Sequence, residues 1–178
     1  LLTGGPEIFF PLSLSHWHEL RYDNIMTAAD TAKQRDNSPV IQFSVFTPNR
    51  LGRLHDLVGL LGKQGVHVLA LMVLDTTDSS IIRFAVDDPE KARELLVQNS
   101  FPFTESPLLV VEVNSATELG SLVAALLEAE LNINYLYSFI PHPHGKSILG
   151  LSMEDNDMAE KVLTQHQFPI LRQADVSR

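Results

Sequence analysis

The chain has 178 residues, a net charge of −9, an isoelectric point near 5.1 and 20% charged residues, the make-up of an ordinary folded globular protein. That charge disfavours nucleic acid, whose phosphates would meet a like-signed surface, and the absence of cysteine excludes disulfides and thiolate metal sites. No apolar run approaches the ~20 residues of a membrane helix, so no membrane partner is expected and the expected compartment is cytoplasmic.

Residues 1–38 differ from the rest. Ile8–Leu12 is apolar, but no basic segment precedes it and no small-residue cleavage site follows, which makes a poor secretory signal. Thr27–Ser38 is polar and reads as a linker. Met26 stands at its start, and two readings remain open. Translation begins at Met26 and the earlier residues are an upstream artefact, or Phe9, Phe10, Leu12, Leu14 and Trp17 belong to an ordered arm packed on a partner or on the sheet.

From Val40 to Thr47 the chain alternates, with Ile41, Phe43, Val45 and Thr47 on one face and Gln42 and Ser44 on the other, as in a half-buried strand. Leu54, Leu57, Val58 and Leu61 then fall at i, i+3, i+4 and i+7, one apolar stripe of a helix. Gly65 sits where that helix needs a left-handed residue, and Val66 opens a second strand that runs to Asp75. Thr76–Ser79 is a turn, and Ile81–Val86 a third strand. Asp88-Pro89 is a carboxylate cap with proline at the first helical position, and the helix runs to Ser100. Phe101-Pro102-Phe103 closes the unit as a short last strand, whose proline suits a sheet edge or a strand start.

The same six elements then recur. Leu119, Leu122, Val123 and Leu126 repeat the first stripe 65 residues on, and Asp155, Ala159, Leu163, Phe168 and Pro169 repeat Asp88, Ala92, Leu96, Phe101 and Pro102 at 67. Two β-α-β-β-α-β runs predict an α+β protein with two ferredoxin-like units in tandem. Each is marginal alone, so their antiparallel sheets are expected to join edge to edge into one eight-stranded sheet with helices on one face. The expected boundaries are 1–38 for the extension, 39–105 for the first repeat and 106–178 for the second.

Asn49-Arg50-Leu51-Gly52-Arg53-Leu54, then the helix, then Gly65-Val66-His67-Val68, resembles the ACT domain family. Leu131–Phe139 is similar to the second strand of the second domain in stand-alone tandem ACT proteins, and Asp75–Asp78 and Asp87–Ala92 match their first domain. The resemblance covers about residues 40–171. It implies a domain without catalytic chemistry or cofactor that binds a small amino acid and regulates an enzyme. By position it implies ligand contacts from Asn49, Arg50, Leu51, Gly52, Arg53 and Leu54, with His67 and Asn132 opening the facing strands. The residue types suit a zwitterion: an amide both donates and accepts, helix-mouth N–H groups favour an anion, and Gly52 lets backbone approach closely. Capping and turn duties alone also explain these types. The second copy's loop lacks the glycine and the basic residue, and its Ser115 and Glu118 form a capping box over the amides a carboxylate needs. Unequal sites are therefore expected, with the Asn49–Gly52 loop binding opposite the Asn132 strand.

Other constellations carry less. His16/His18 and His142/His144 are pairs without further ligands, so no metal site is expected. Tyr135, Tyr137 and Phe139 alternate on a strand and are expected to pack against another chain's sheet rather than stack on RNA bases. Asp75, Asp78, Asp87 and Asp88 occupy turn and cap positions and make no general acid–base pair. The expectation is a non-enzymatic, amino-acid-sensing homodimer acting on a partner enzyme. Acetolactate synthase small subunits are one such type, although they usually carry a larger C-terminal domain. The alternative is an interaction scaffold with no small ligand.

Overall fold

The computed structural model describes residues 37–75, 79–140 and 146–177. The leading arm with Met26 and His16/His18, most of the 76–79 turn, and His142/His144 lie outside the described residues. The first repeat contains strand β1 (Val40–Pro48), helix α1 (Arg53–Lys63), β2 (Val68–Asp75), β3 (Ser79–Val86) and α2 (Pro89–Gln98). Strand β4 (Phe103–Val113) leads into the second repeat, with α3 (Ala116–Glu128), β5 (Ile133–Ser138), β6 (Ser147–Met153), α4 (Asn156–Gln165), β7 (Ile170–Leu171) and the single turn α5 (Gln173–Val176).

The helices start and stop as the local chemistry dictates. Asp88 and Asp155 accept from the backbone N–H groups of Lys91 and Met158, capping α2 and α4. Among the described residues all four long helices end in one hydrogen-bond pattern, Val66 N–H to Leu61 and Leu131 N–H to Leu126 closing α1 and α3. The left-handed residue each ending requires is Gly65 in α1 (φ +74°) but Ser100, Glu130 and Gln167 in the others (φ 56°, 57° and 63°).

Among the described residues the sheet has seven strands in the order β2-β3-β1-β4-β6-β5, with β7 also on β4, where eight were expected. The last strand of the first unit and the first strand of the second are a single strand. Residues 103–108 of β4 pair with β1, and residues 109–113 continue straight on to pair with β6. The boundary expected at 105/106 falls inside this strand. The joining is therefore covalent continuity and not an edge meeting an edge.

The sheet also curls until its outer strands touch. Ala70 of β2 bridges Phe139, and Ile140 N–H donates to Leu69 C=O at 2.8 Å. Curling gives the sheet an inner face as well as an outer one, and so three cores among the described residues. Phe43, Leu57, Leu61, Phe84 and Leu96 pack beneath α1 and α2. Val111, Leu122, Leu126, Leu151 and Leu163 do the same beneath α3 and α4. Val40, Ala70, Ala85, Leu108, Val110, Tyr137, Phe139 and Val176 fill the inside of the curl. Tyr137 and Phe139 thus face a sheet as expected, but it is this chain's own. The polar face of β1 turns inward too: Gln42 is 0% exposed, where alternation alone suggested solvent.

The end of the chain ties the two repeats together. Gln173 Nε2 donates to Val86 C=O at 2.9 Å, Gln173 N–H donates to Ser38 C=O at 3.1 Å, and Ser177 Oγ donates to Asp87 C=O at 2.7 Å. These bonds satisfy backbone carbonyls at the end of the curl that Val176 plugs.

Candidate functional site

The loop between β1 and α1 projects from one end of the sheet. Arg50 is exposed and Leu51 fully so. Gly52 takes the N-cap position of α1 with φ +92°, a left-handed conformation that L side chains rarely adopt. A Cβ built there meets nothing within 4 Å, so the loop is not pressed against its own module. Among the described residues no side chain caps the helix; the carbonyl of Gly52 takes the Asp56 N–H at 2.8 Å and that of Arg50 the Arg53 N–H at 3.4 Å.

Around this opening the side chains are held from the strands. Asn49 Nδ2 donates to Asp75 Oδ1 at 2.7 Å, tying the loop to the end of β2. Asp75 read from sequence as a turn carboxylate, and only the tertiary contact gives it this role. Arg53 donates from Nε to Thr47 Oγ1 at 3.2 Å, lies 3.9 Å from Asp56 and stacks 5.6 Å over the Phe101 ring. Leu54 begins the helix stripe and is 38% exposed. Asn49 and Asp75 thus bring an amide and a carboxylate to a loop that also carries Arg50, Arg53 and the N-terminus of α1, the donor and acceptor types a zwitterion needs.

Of the strand residues expected to face this loop, His67 is elsewhere in the same repeat. It precedes β2 while Asn49 grips the last residue of β2, and eight residues of strand separate them by roughly 25 Å. His67 is instead clamped by Asp87, which accepts from its backbone N–H at 2.8 Å and meets its Nδ1 at 2.6 Å. Asn132 is exposed just before β5, in an open hollow of about 500 Å³ shared with Glu130, Glu154, Asp155 and Asp157. No hydrogen bond or ion pair among the described residues links it to the Asn49 loop. From the Ala70–Phe139 bridge β5 runs antiparallel to β2, so its Asn132 end points the way Asp75 does.

The corresponding loop of the second repeat is closed. Ser115 Oγ accepts from Glu118 N–H at 3.3 Å, and Glu118 Oε2 takes the backbone N–H of Asn114 at 2.7 Å. The carboxylate reaches one residue further back than a reciprocal capping box requires, and Asn114's own amide is folded onto it as well.

Two ferredoxin-like units that share one strand of a curled antiparallel sheet, with their helices packed on its outer face, define an α+β class of fold. The family model "ACT domain pair" matches residues 38–178, and the chain belongs to that family. Among solved structures it is similar to protein BT0572 from Bacteroides thetaiotaomicron, at 24% identity and a TM-score of 0.72 over 79% of this chain and 96% of that one. It is also similar to the ligand-free regulatory subunit of aspartate kinase from Thermus thermophilus, at 16% identity and a TM-score of 0.54 over 74% and 94% of the two chains. At these identities the likeness is one of fold. Comparison with curated protein sequences gives no match.

Proposed function

We propose that this protein is a non-catalytic amino-acid sensor. A small amino acid binds at the Asn49–Leu54 loop, against the Asn132 strand, and the bound state is read by a partner enzyme. The observation that carries this reading is the open, uncapped mouth of α1, beside a closed equivalent at α3. In that mouth Asn49 and Asp75 take the ammonium, while the first-turn amides and Arg50 take the carboxylate.

The same helix offers a route for the signal. Leu57 and Leu61 are buried, but Leu54 and Val58 remain 38% and 38% exposed, and their counterparts Leu119 and Val123 37% and 40%. Half of each stripe is left for a second chain, which supports a homodimer packed through these helices. Ligand held at the mouth of α1 then favours one packing of neighbouring subunits through linkage.

A thermal-shift screen against the twenty amino acids tests this directly. A ligand at a hundredfold its dissociation constant stabilises the fold by about 2.7 kcal/mol. Calorimetric titration of the active amino acid into Asn49→Ala is expected to show a large loss of affinity, and into Ser115→Ala almost none. A screen in which no amino acid stabilises the protein, or equal losses in the two variants, overturns the reading and favours the scaffold alternative.

A further inference from the structure

The inner face of the first repeat carries a polar cluster that the loop does not use. The register of the sheet places it row by row. Ala70, Ala85, Gln42 and Ser106 stand in one cross-strand row, and Met72, Arg83 and Ser44 in the next; Leu74, Ile81 and Phe46 form the third. In the second repeat the positions of Gln42 and Arg83 are held by Leu108 and Gly150, 66 and 67 residues on. There the space is full, since a Cβ on Gly150 would lie 2.6 Å from Leu108 Cδ2 and 3.1 Å from Phe139 Cε2. The first repeat put a cation where the second put packing.

Among the described residues that cation has no anion beside it. The guanidinium of Arg83 lies 4.1 Å over the Tyr135 ring, its Nε is buried without a hydrogen-bond partner, and no carboxylate among the described residues makes an ion pair with it. Gln42 organises what surrounds it. Its Oε1 accepts from Tyr137 Oη at 2.8 Å, which turns its Nε2 toward Tyr135 Oη at 2.7 Å and Ser106 Oγ at 3.2 Å. Because those two hydroxyl oxygens accept from Gln42, their protons are free to donate elsewhere. Ser44, directly across from Arg83, adds a third hydroxyl. One guanidinium and three hydroxyl donors converge on a partly buried spot where charge-assisted bonds are strong. The neighbouring row is apolar and open, with Phe46 42% and Leu74 39% exposed.

We propose that this part of the inner face is a second ligand site, separate from the Asn49 loop, for a small carboxylate with an apolar tail. The carboxylate sits on Arg83 with the hydroxyls of Ser44, Ser106 and Tyr135, and the tail lies along Phe46, Ile81 and Leu74. The site does not depend on the amino-acid reading of the loop.

The test uses the full chain with ¹⁵N-labelled arginine, the Arg83 Nε–H signal being identified by its loss in Arg83→Gln. Sodium acetate (head alone), sodium hexanoate (head and tail), 1-hexanol (tail alone), inorganic phosphate and sodium chloride are titrated at constant ionic strength. Hexanoate is expected to shift the signal saturably, binding about tenfold more tightly than acetate because its added methylenes are partly buried. Chloride and hexanol are expected to give no saturable shift. Calorimetry is expected to show hexanoate binding lost in Arg83→Gln, reduced to the acetate level in Phe46→Ser and unchanged in Asn49→Ala. Should Arg83→Gln not fold, Phe46→Ser, which leaves the polar row intact, makes the same comparison. The proposal is overturned by hexanoate behaving like chloride or like hexanol, by phosphate binding more tightly than hexanoate, or by self-association that hides the face and abolishes the response. Loss of hexanoate binding in Asn49→Ala would also overturn it, since the two sites would then be one.

Discussion

The mouths of α1 and α3 begin from equivalent places 65 residues apart and end in opposite chemistry. One has a glycine at φ +92° and no side-chain cap, while the other has a serine cap and a glutamate folded over its backbone. The inner faces diverge in the same sense. Gln42 and Arg83 make a polar cluster in the first repeat, and Leu108 and Gly150 make dense packing in the second. Duplication supplied two copies of one scaffold. The helix-facing cores stayed alike, and the helix-mouth loops and the faces that meet the other repeat were free to change.

Substitutions that force one copy to resemble the other break this comparison most sharply. Gln42→Leu, which installs the residue of the second repeat, removes the acceptor of the buried Tyr137 hydroxyl. It is expected to cost about 2–3 kcal/mol, measured as a fall in the urea midpoint. The same tyrosine predicts a pH effect. Burial, and after it Tyr135, holds its pKa above the ordinary tyrosine value of 10.0, against the nearby Arg83 charge. The folded state therefore keeps its proton where the unfolded state loses it. Stability is unaffected below the ordinary range and falls as pH rises through it, by at most about 1.4 kcal/mol per pH unit. Denaturant unfolding at stepped alkaline pH checks this, and Tyr137→Phe is expected to flatten the slope.

Gly150→Ala is expected to cost about 1–2 kcal/mol, because its methyl meets Leu108 at 2.6 Å; pairing it with Leu108→Ala makes room and recovers part of the loss. The smallest effect is a gain. Glu130 holds the left-handed position that Gly65 fills in the first repeat, so Glu130→Gly is expected to stabilise the protein by roughly 0.5–1 kcal/mol, read as a rise in Tm. Gly65→Glu is expected to do the reverse.

Much of the fold is legible in the residues. The stripes of α1 and α3, the Asp88-Pro89 start and the Gly65 ending are local signals, each read within one turn of chain, and each appears as expected. The open loop at Gly52 was visible for the same reason. What alternation could not convey is the destination of a face. Gln42 and Ser44 carry the pattern of a solvent-facing edge, yet they are buried because a strand more than sixty residues away closes over them. Asp75, a turn carboxylate by sequence, anchors Asn49 only because β2 ends beside the loop.

By itself, then, the sequence determined which segments are helix and strand, that they repeat, and that one helix mouth is open while its twin is sealed. These depend on side-chain period, caps and glycine, which act over a few residues. The tertiary structure alone decided that one strand serves both repeats and that the sheet curls until β2 meets β5. It also decided that Arg83, Gln42 and Tyr135 share an interior. Such contacts join residues up to 93 positions apart in the chain, and the free energy that selects them belongs to the packed whole.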